Sequence, residues 1–198
     1  TKNDSIANSS KYQKRNIKAL IGFNWLNLGP KFRETMLDLY AGSVIGNTNS
    51  DYSTSRNDTF LGIETRKNFF RVVVGLGYEA RFVGTVKNTS EMKIGNIFKS
   101  SAFLGWAVSN DIKIQVEGVN VKIQQSNDSI SPSLSQEVSF NYLSPRLFLG
   151  IIPNCDLTIG ANYGIGNQID PDTLAQARLW DLNNGMGNSI YAGINVSM

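Results

Sequence analysis

From Phe70 to Phe82 the chain alternates without a break: Phe70, Val72, Val74, Leu76, Tyr78, Ala80 and Phe82 fall on one parity, and Arg71, Val73, Gly75, Gly77, Glu79 and Arg81 on the other. Strand side chains point to opposite faces with period 2, so this stretch has one apolar face and one made mostly of glycine and charge. A helix would mix the two sets on every face, so the period decides for a strand.

The same division recurs at Ala102, Leu104, Trp106 and Val108, and at Leu157, Ile159, Ala161 and Tyr163. Further strands are expected over Ile17–Leu28, Thr35–Ile45, Thr59–Thr65, Ile112–Ile123, Val138–Leu149 and Ser189–Met198. In Ile112–Ile123 the apolar parity changes around Glu117-Gly118, and in Val138–Leu149 around Ser144-Pro145. A bulge at each place would produce that change. Tight turns are expected at Gly29-Pro30, Lys67-Asn68, Ser109-Asn110-Asp111 and Pro153-Asn154, and longer Asn/Ser/Asp/Gly-rich connections at 46–58, 87–93, 124–137 and 166–188. With 18 glycines and 5 prolines in 198 residues, the chain reads as all-β and as one domain over 1–198, with residues 1–14 a polar N-terminal segment.

Which way the apolar face looks decides the class. A solvated sheet face favours Thr, Lys, Glu and Gln, whereas glycine weakens an exposed strand. Here the second face carries Gly22, Gly42, Gly62, Gly75, Gly77, Gly105, Gly160, Gly164 and Gly193 among Asp38, Glu64, Arg71, Glu79, Arg81, Lys99, Lys113, Glu117 and Arg146. Small residues beside charges of both signs suit the narrow interior of a barrel of eight to ten strands. A lumen charge cluster of Asp38, Glu64, Arg71, Glu79, Arg81, Lys99 and Glu117 is therefore expected. No stretch approaches the ~20 apolar residues of a membrane helix, so only a closed barrel could satisfy the backbone in lipid. The expected fold is an antiparallel up-and-down transmembrane β-barrel.

The last segment, Ile190-Tyr191-Ala192-Gly193-Ile194-Asn195-Val196-Ser197-Met198, resembles the terminal strand of small bacterial outer-membrane β-barrels of OmpA-, OmpX-, OmpW- or opacity-protein-like architecture. That family ends in Phe, Tyr or Trp where this chain has Met198. The resemblance implies the outer membrane as location, its lipid as partner, short turns on one side and long loops on the other, and an even strand number. The nine segments above leave one strand to be found, and Ser5–Ser9 or Leu174–Trp180 could add it; ten strands are expected, with eight the alternative.

Chemistry is sparse. The chain has no histidine, which removes the base of Ser-His and Cys-His mechanisms. The enzymes among outer-membrane barrels resemble one another in relying on one, so no enzymatic activity is expected. Asp170 and Asp172 read as a turn, and Cys155 has no cysteine to pair with. Gly75-x-Gly77-x-x-Ala80 has the form of a dinucleotide fingerprint, but the period-2 pattern runs straight through it, where a helix should open. Neither cofactor nor metal is expected. The net charge of +3 comes from scattered residues rather than a basic tract, which argues against nucleic acid. The expected function is recognition, adhesion or an envelope-structural role through the long loops, with a host or envelope protein as partner. Tyr52, Arg56, Leu174, Arg178 and Trp180 are the candidate contacts. A narrow pore for ions or small solutes and a soluble lipocalin-like lipid-binding barrel are the alternatives.

Overall fold

The computed structural model describes residues 17–46, 56–85, 95–125, 137–152, 155–166 and 188–196. Nine strands follow one another: β1 Ile17–Leu28, β2 Thr35–Ile45, β3 Asn57–Phe69, β4 Val72–Phe82, β5 Ile97–Ala107, β6 Ile112–Ile123, β7 Val138–Ile152, β8 Cys155–Ile165 and β9 Ser189–Val196. Each pairs antiparallel with the next in a single up-and-down sheet of order β1 to β9. Successive connections lie at opposite ends, a turn side and a loop side.

The sheet is strongly curled, because residues from β2 through β8 line one common cavity. It is not closed: β1 and β9 pair with no second neighbour among the described residues. Among the described residues there are nine strands, where ten were expected and eight were the alternative. Ser5–Ser9 and Leu174–Trp180, the segments that could add to them, lie outside the described residues. Register makes the open edges parallel. Ile17 pairs with Ile45 at the loop side and Val196 with Cys155 at the turn side, so β1 and β9 both run from loop side to turn side.

One face points outward on every strand and is apolar over most of its extent; Leu76 is 61% exposed and Ile21 81%. The other face is concave and holds the buried side chains, with Phe60 at 1% exposure.

Both bulges expected from parity are absent. β6 pairs with β5 and β7 in uninterrupted register through Glu117-Gly118 and Ser144-Pro145. The strand does not shift; the chemistry of its two faces exchanges. Register does slip elsewhere, at Trp25 in β1 between Asn24 and Leu26, and between Gly150 and Ile152 at the end of β7. The β3–β4 turn falls at Phe70-Arg71 rather than Lys67-Asn68. Phe70 adopts φ 57, and its N–H donates to the Phe32 carbonyl at 2.7 Å, tying this turn to the β1–β2 turn. Phe70 therefore stands beside the cavity mouth instead of heading the outer stripe.

Candidate functional site

Side chains on the concave face fall into three levels. At the loop side Val83, Ile97, Val119, Val121, Ile123, Phe140 and Tyr142 form a dry cluster with Val138 packed against it. Burying an aliphatic or aromatic side chain of this size contributes about 1.5–3 kcal/mol each, so this level is a true hydrophobic core. Beside it lies a buried ionic clamp. Asp58 accepts from Arg56 Nε at 2.9 Å and Arg81 Nε at 2.8 Å, and from the Gly84 N–H at 3.0 Å. Two guanidiniums and an amide on one carboxylate offset the desolvation that an isolated buried charge would suffer.

The middle level is ionic and wetter. Asp38 pairs with Arg66 at 2.6 Å, and Glu117 pairs with Arg146. Tyr40 Oη donates to Glu79 at 3.2 Å, with Lys18 Nζ 4.0 Å from the same carboxylate. Glycines are what make room here. A Cβ on Gly42, Gly62, Gly75 or Gly160 would enter the ring of Phe60, Tyr40, Phe103 or Tyr191 respectively. The sequence suggests that glycine shares the lumen with long charged chains; in the structure aromatic rings lie across it.

The turn-side level is open. A cavity of about 510 Å³ is lined by Met36, Arg66, Asn68, Arg71, Val73, Lys113, Gln115 and Phe148 among others. Nothing of the dry cluster lines it, so the concave face is a cup at the turn side and a plug at the loop side.

The residues expected in a lumen cluster all point to the concave side, but they do not form one assembly. Arg71 and Arg81 are ten residues apart on nearly extended chain, about 33 Å at 3.3 Å per residue. Arg71 therefore stands at the cup, Glu79 with Asp38 and Glu117 in the middle, and Arg81 in the clamp. Glu64 pairs in register with Gly77 rather than with Arg71, Glu79 or Arg81. Glu64 and Lys99 make no direct bond among the described residues, although Lys99 is the register partner of Glu79.

Arg56 is a correction. The sequence places it among the loop contacts, yet it is 0% exposed and bonded to Asp58. Arg56, Asp58 and Phe60 share one parity, and the inward Phe60 fixes which way that parity points. Tyr52, Leu174, Arg178 and Trp180 lie outside the described residues, as do Asp170 and Asp172. Sequence reasoning missed Asp58, Arg66 and Tyr40. The Arg56-x-Asp58 spacing, which puts both on one strand face, is the signal that would have found the clamp.

At Gly75-x-Gly77-x-x-Ala80 the structure has the straight strand β4 and no helix. The Phe103 ring fills the space over Gly75, so that backbone is closed to a pyrophosphate. Compared with models of known protein families and with curated proteins, the chain matches none.

Proposed function

We propose that this chain is a non-enzymatic β-barrel of the bacterial outer membrane, closed to solute flow, whose loop side serves recognition, adhesion or an envelope-structural role. The observation that carries the reading is the direction of the apolar side chains. Ile21, Phe23, Leu61, Leu76, Leu104, Ile159 and Ile194 point outward from successive parts of the sheet, while Asp38, Glu79 and Glu117 with their basic partners point inward. A contiguous exposed apolar surface of this extent needs a partner, and lipid fits one that runs round the outside. Outward aromatics support the same reading: Trp25 and Trp106 lie toward the turn side, Phe82 and Tyr163 toward the loop side, as interfacial girdles do.

Lipid also demands that β1 and β9 be covered, since each unpaired backbone group there costs several kcal/mol. One strand rising from turn side to loop side between them would be antiparallel to both. That gives ten strands and two termini on the turn side.

The dry plug and the Arg56–Asp58–Arg81 clamp argue against the pore, because an ion crossing that level would be stripped of water. The outward apolar face argues against a soluble lipid-binding barrel. Two measurements test the reading. In planar bilayers the purified protein is expected to be silent; a stable conductance that drops on Arg71→Gln or Glu79→Gln would establish the pore instead. In detergent-extracted outer membranes it is expected to migrate as a compact species until boiled, whereas a protein that is monomeric in detergent-free buffer would refute the membrane assignment.

A further inference from the structure

The turn-side cup has a charge pattern that the recognition role of the loops leaves unused. Arg71 and Lys113 stand on either side of β5 at the same level: the Ala107 N–H donates to the Arg71 carbonyl at 2.7 Å, and Ala107 pairs with Lys113. With one strand between them their backbones are about 10 Å apart, within reach of two long side chains converging over the Ala107 methyl. Neither cation has an ion pair or hydrogen-bonding partner for its side chain among the described residues. Arg66, on the same wall, gives Nη2 to Asp38 and leaves Nε without an acceptor. The carboxylates at the cup, Asp111 and Asp156, come from the β5–β6 turn and β8, and neither approaches these cations to 4.0 Å. Val73 and Phe148 supply an apolar inner wall. Phe70, in the β3–β4 turn, stands at the cup's rim.

We propose that the turn-side cup binds a small amphiphilic anion, a phosphate or carboxylate carried on an apolar body, with Arg71 and Lys113 gripping the anionic end and Val73 and Phe148 covering the rest. A guanidinium and an ammonium converging on one anion give charge-assisted hydrogen bonds stronger than those to neutral groups. The cavity, at about 510 Å³, is of small-ligand size.

Calorimetric titration of the full chain in detergent with phenyl phosphate tests this, with inorganic phosphate and phenol titrated alongside. The expected result is saturable one-to-one binding of phenyl phosphate, with each half-ligand weaker by about tenfold or more. Arg71→Gln with Lys113→Gln should weaken it by about tenfold or more, Ala107→Phe should abolish it by filling the gap between the two cations, and Lys122→Gln on the outer face should leave it unchanged. Heat-modifiable migration identifies which variants are folded, and only these are compared. Absence of saturable binding, undiminished affinity in the folded double variant, or inorganic phosphate binding as tightly as phenyl phosphate would overturn the proposal.

Discussion

Toward the turn side β6 sends Ile112, Ile114 and Val116 outward and Lys113, Gln115 and Glu117 inward; toward the loop side the same strand sends Asn120 and Lys122 outward and Val119, Val121 and Ile123 inward. β7 follows it, with Leu143, Leu147 and Leu149 outward below and Asn141 and Ser139 outward above, where Phe140 and Tyr142 turn in. On these two strands one half is inside-out relative to a water-soluble protein and the other is built as a water-soluble protein is, whereas β1, β2, β8 and β9 keep Ile17, Ile45, Ile165 and Ile190 exposed at their loop-side ends. On β6 the two faces exchange chemistry near Gly118 without a change of register, which is the pattern that the proposed outer-membrane location requires where a strand passes from lipid to water. Above that level burial of apolar side chains inside, beside the Arg56–Asp58–Arg81 clamp, stabilises the sheet; below it the interior is held by ion pairs and the apolar side chains face out.

The largest expected effect lies in the loop half. Asp58→Ala removes the carboxylate shared by two buried guanidiniums, and losing one partner of a buried pair costs about 3–5 kcal/mol. Asp38→Ala, whose partner Arg66 is partly exposed, should cost about 1 kcal/mol or less. Thermal loss of compact gel migration measures both, and equal losses would erase the distinction between dry plug and wet belt.

The outer face gives the next effect. If the outer face lies in lipid as proposed, Val116→Arg, on the outward apolar part of β6, should cost about 2–4 kcal/mol of folding into bilayers, while Asn120→Arg four residues farther should cost about 0–1 kcal/mol. Denaturant titrations in lipid vesicles read the difference, and a reversed order would place the crossing elsewhere.

Gly62→Ala is the third. Its methyl would collide with the Tyr40 ring and displace the Tyr40–Glu79 hydrogen bond, for about 1–3 kcal/mol of overpacking. Tyr40→Ala in the same background should relieve the clash, and a double-mutant cycle checks the coupling.

The smallest effect is at the turn side, outside the strands. Glu34 has its carboxyl pKa lowered, first by the hydrogen bond from the Asn68 side chain and also by the Phe32 N–H. A depressed folded pKa contributes stability that is present above the ordinary carboxylate value of about 4.3 and is lost as pH falls through the folded value. Glu34→Gln should therefore narrow the stability gap to the native chain as pH drops toward that value, and an unchanged gap across the range would remove Asn68 as the cause.

Much of the fold is legible in the sequence because period 2 is a local property. β1, β2 and β6 have the bounds expected from alternation alone. The orientation was legible too, since glycine and charge on one parity suit an interior better than a solvated surface. What was not legible comes from assuming that one face keeps one chemistry. The parity changes at Glu117-Gly118 and Ser144-Pro145 look like inserted residues only if the apolar set must stay outside. Likewise Arg56, ahead of a strand and beside an Asn/Ser-rich stretch, reads as a surface contact until Asp58 and Phe60 show which face it occupies. The cup was hidden because it joins residues from seven strands, and no local pattern reports that.

Site-directed spin labelling in reconstituted lipid vesicles tests the central claim most directly, with Cys155→Ser removing the native thiol and single cysteines placed by Leu76→Cys, Val116→Cys, Asn120→Cys and Lys122→Cys. Labels at 76 and 116 should relax with oxygen dissolved in lipid and ignore a water-soluble nickel chelate, and labels at 120 and 122 should do the reverse. Free collision of the chelate with labels at 76 and 116 would contradict an outer face that lies in lipid.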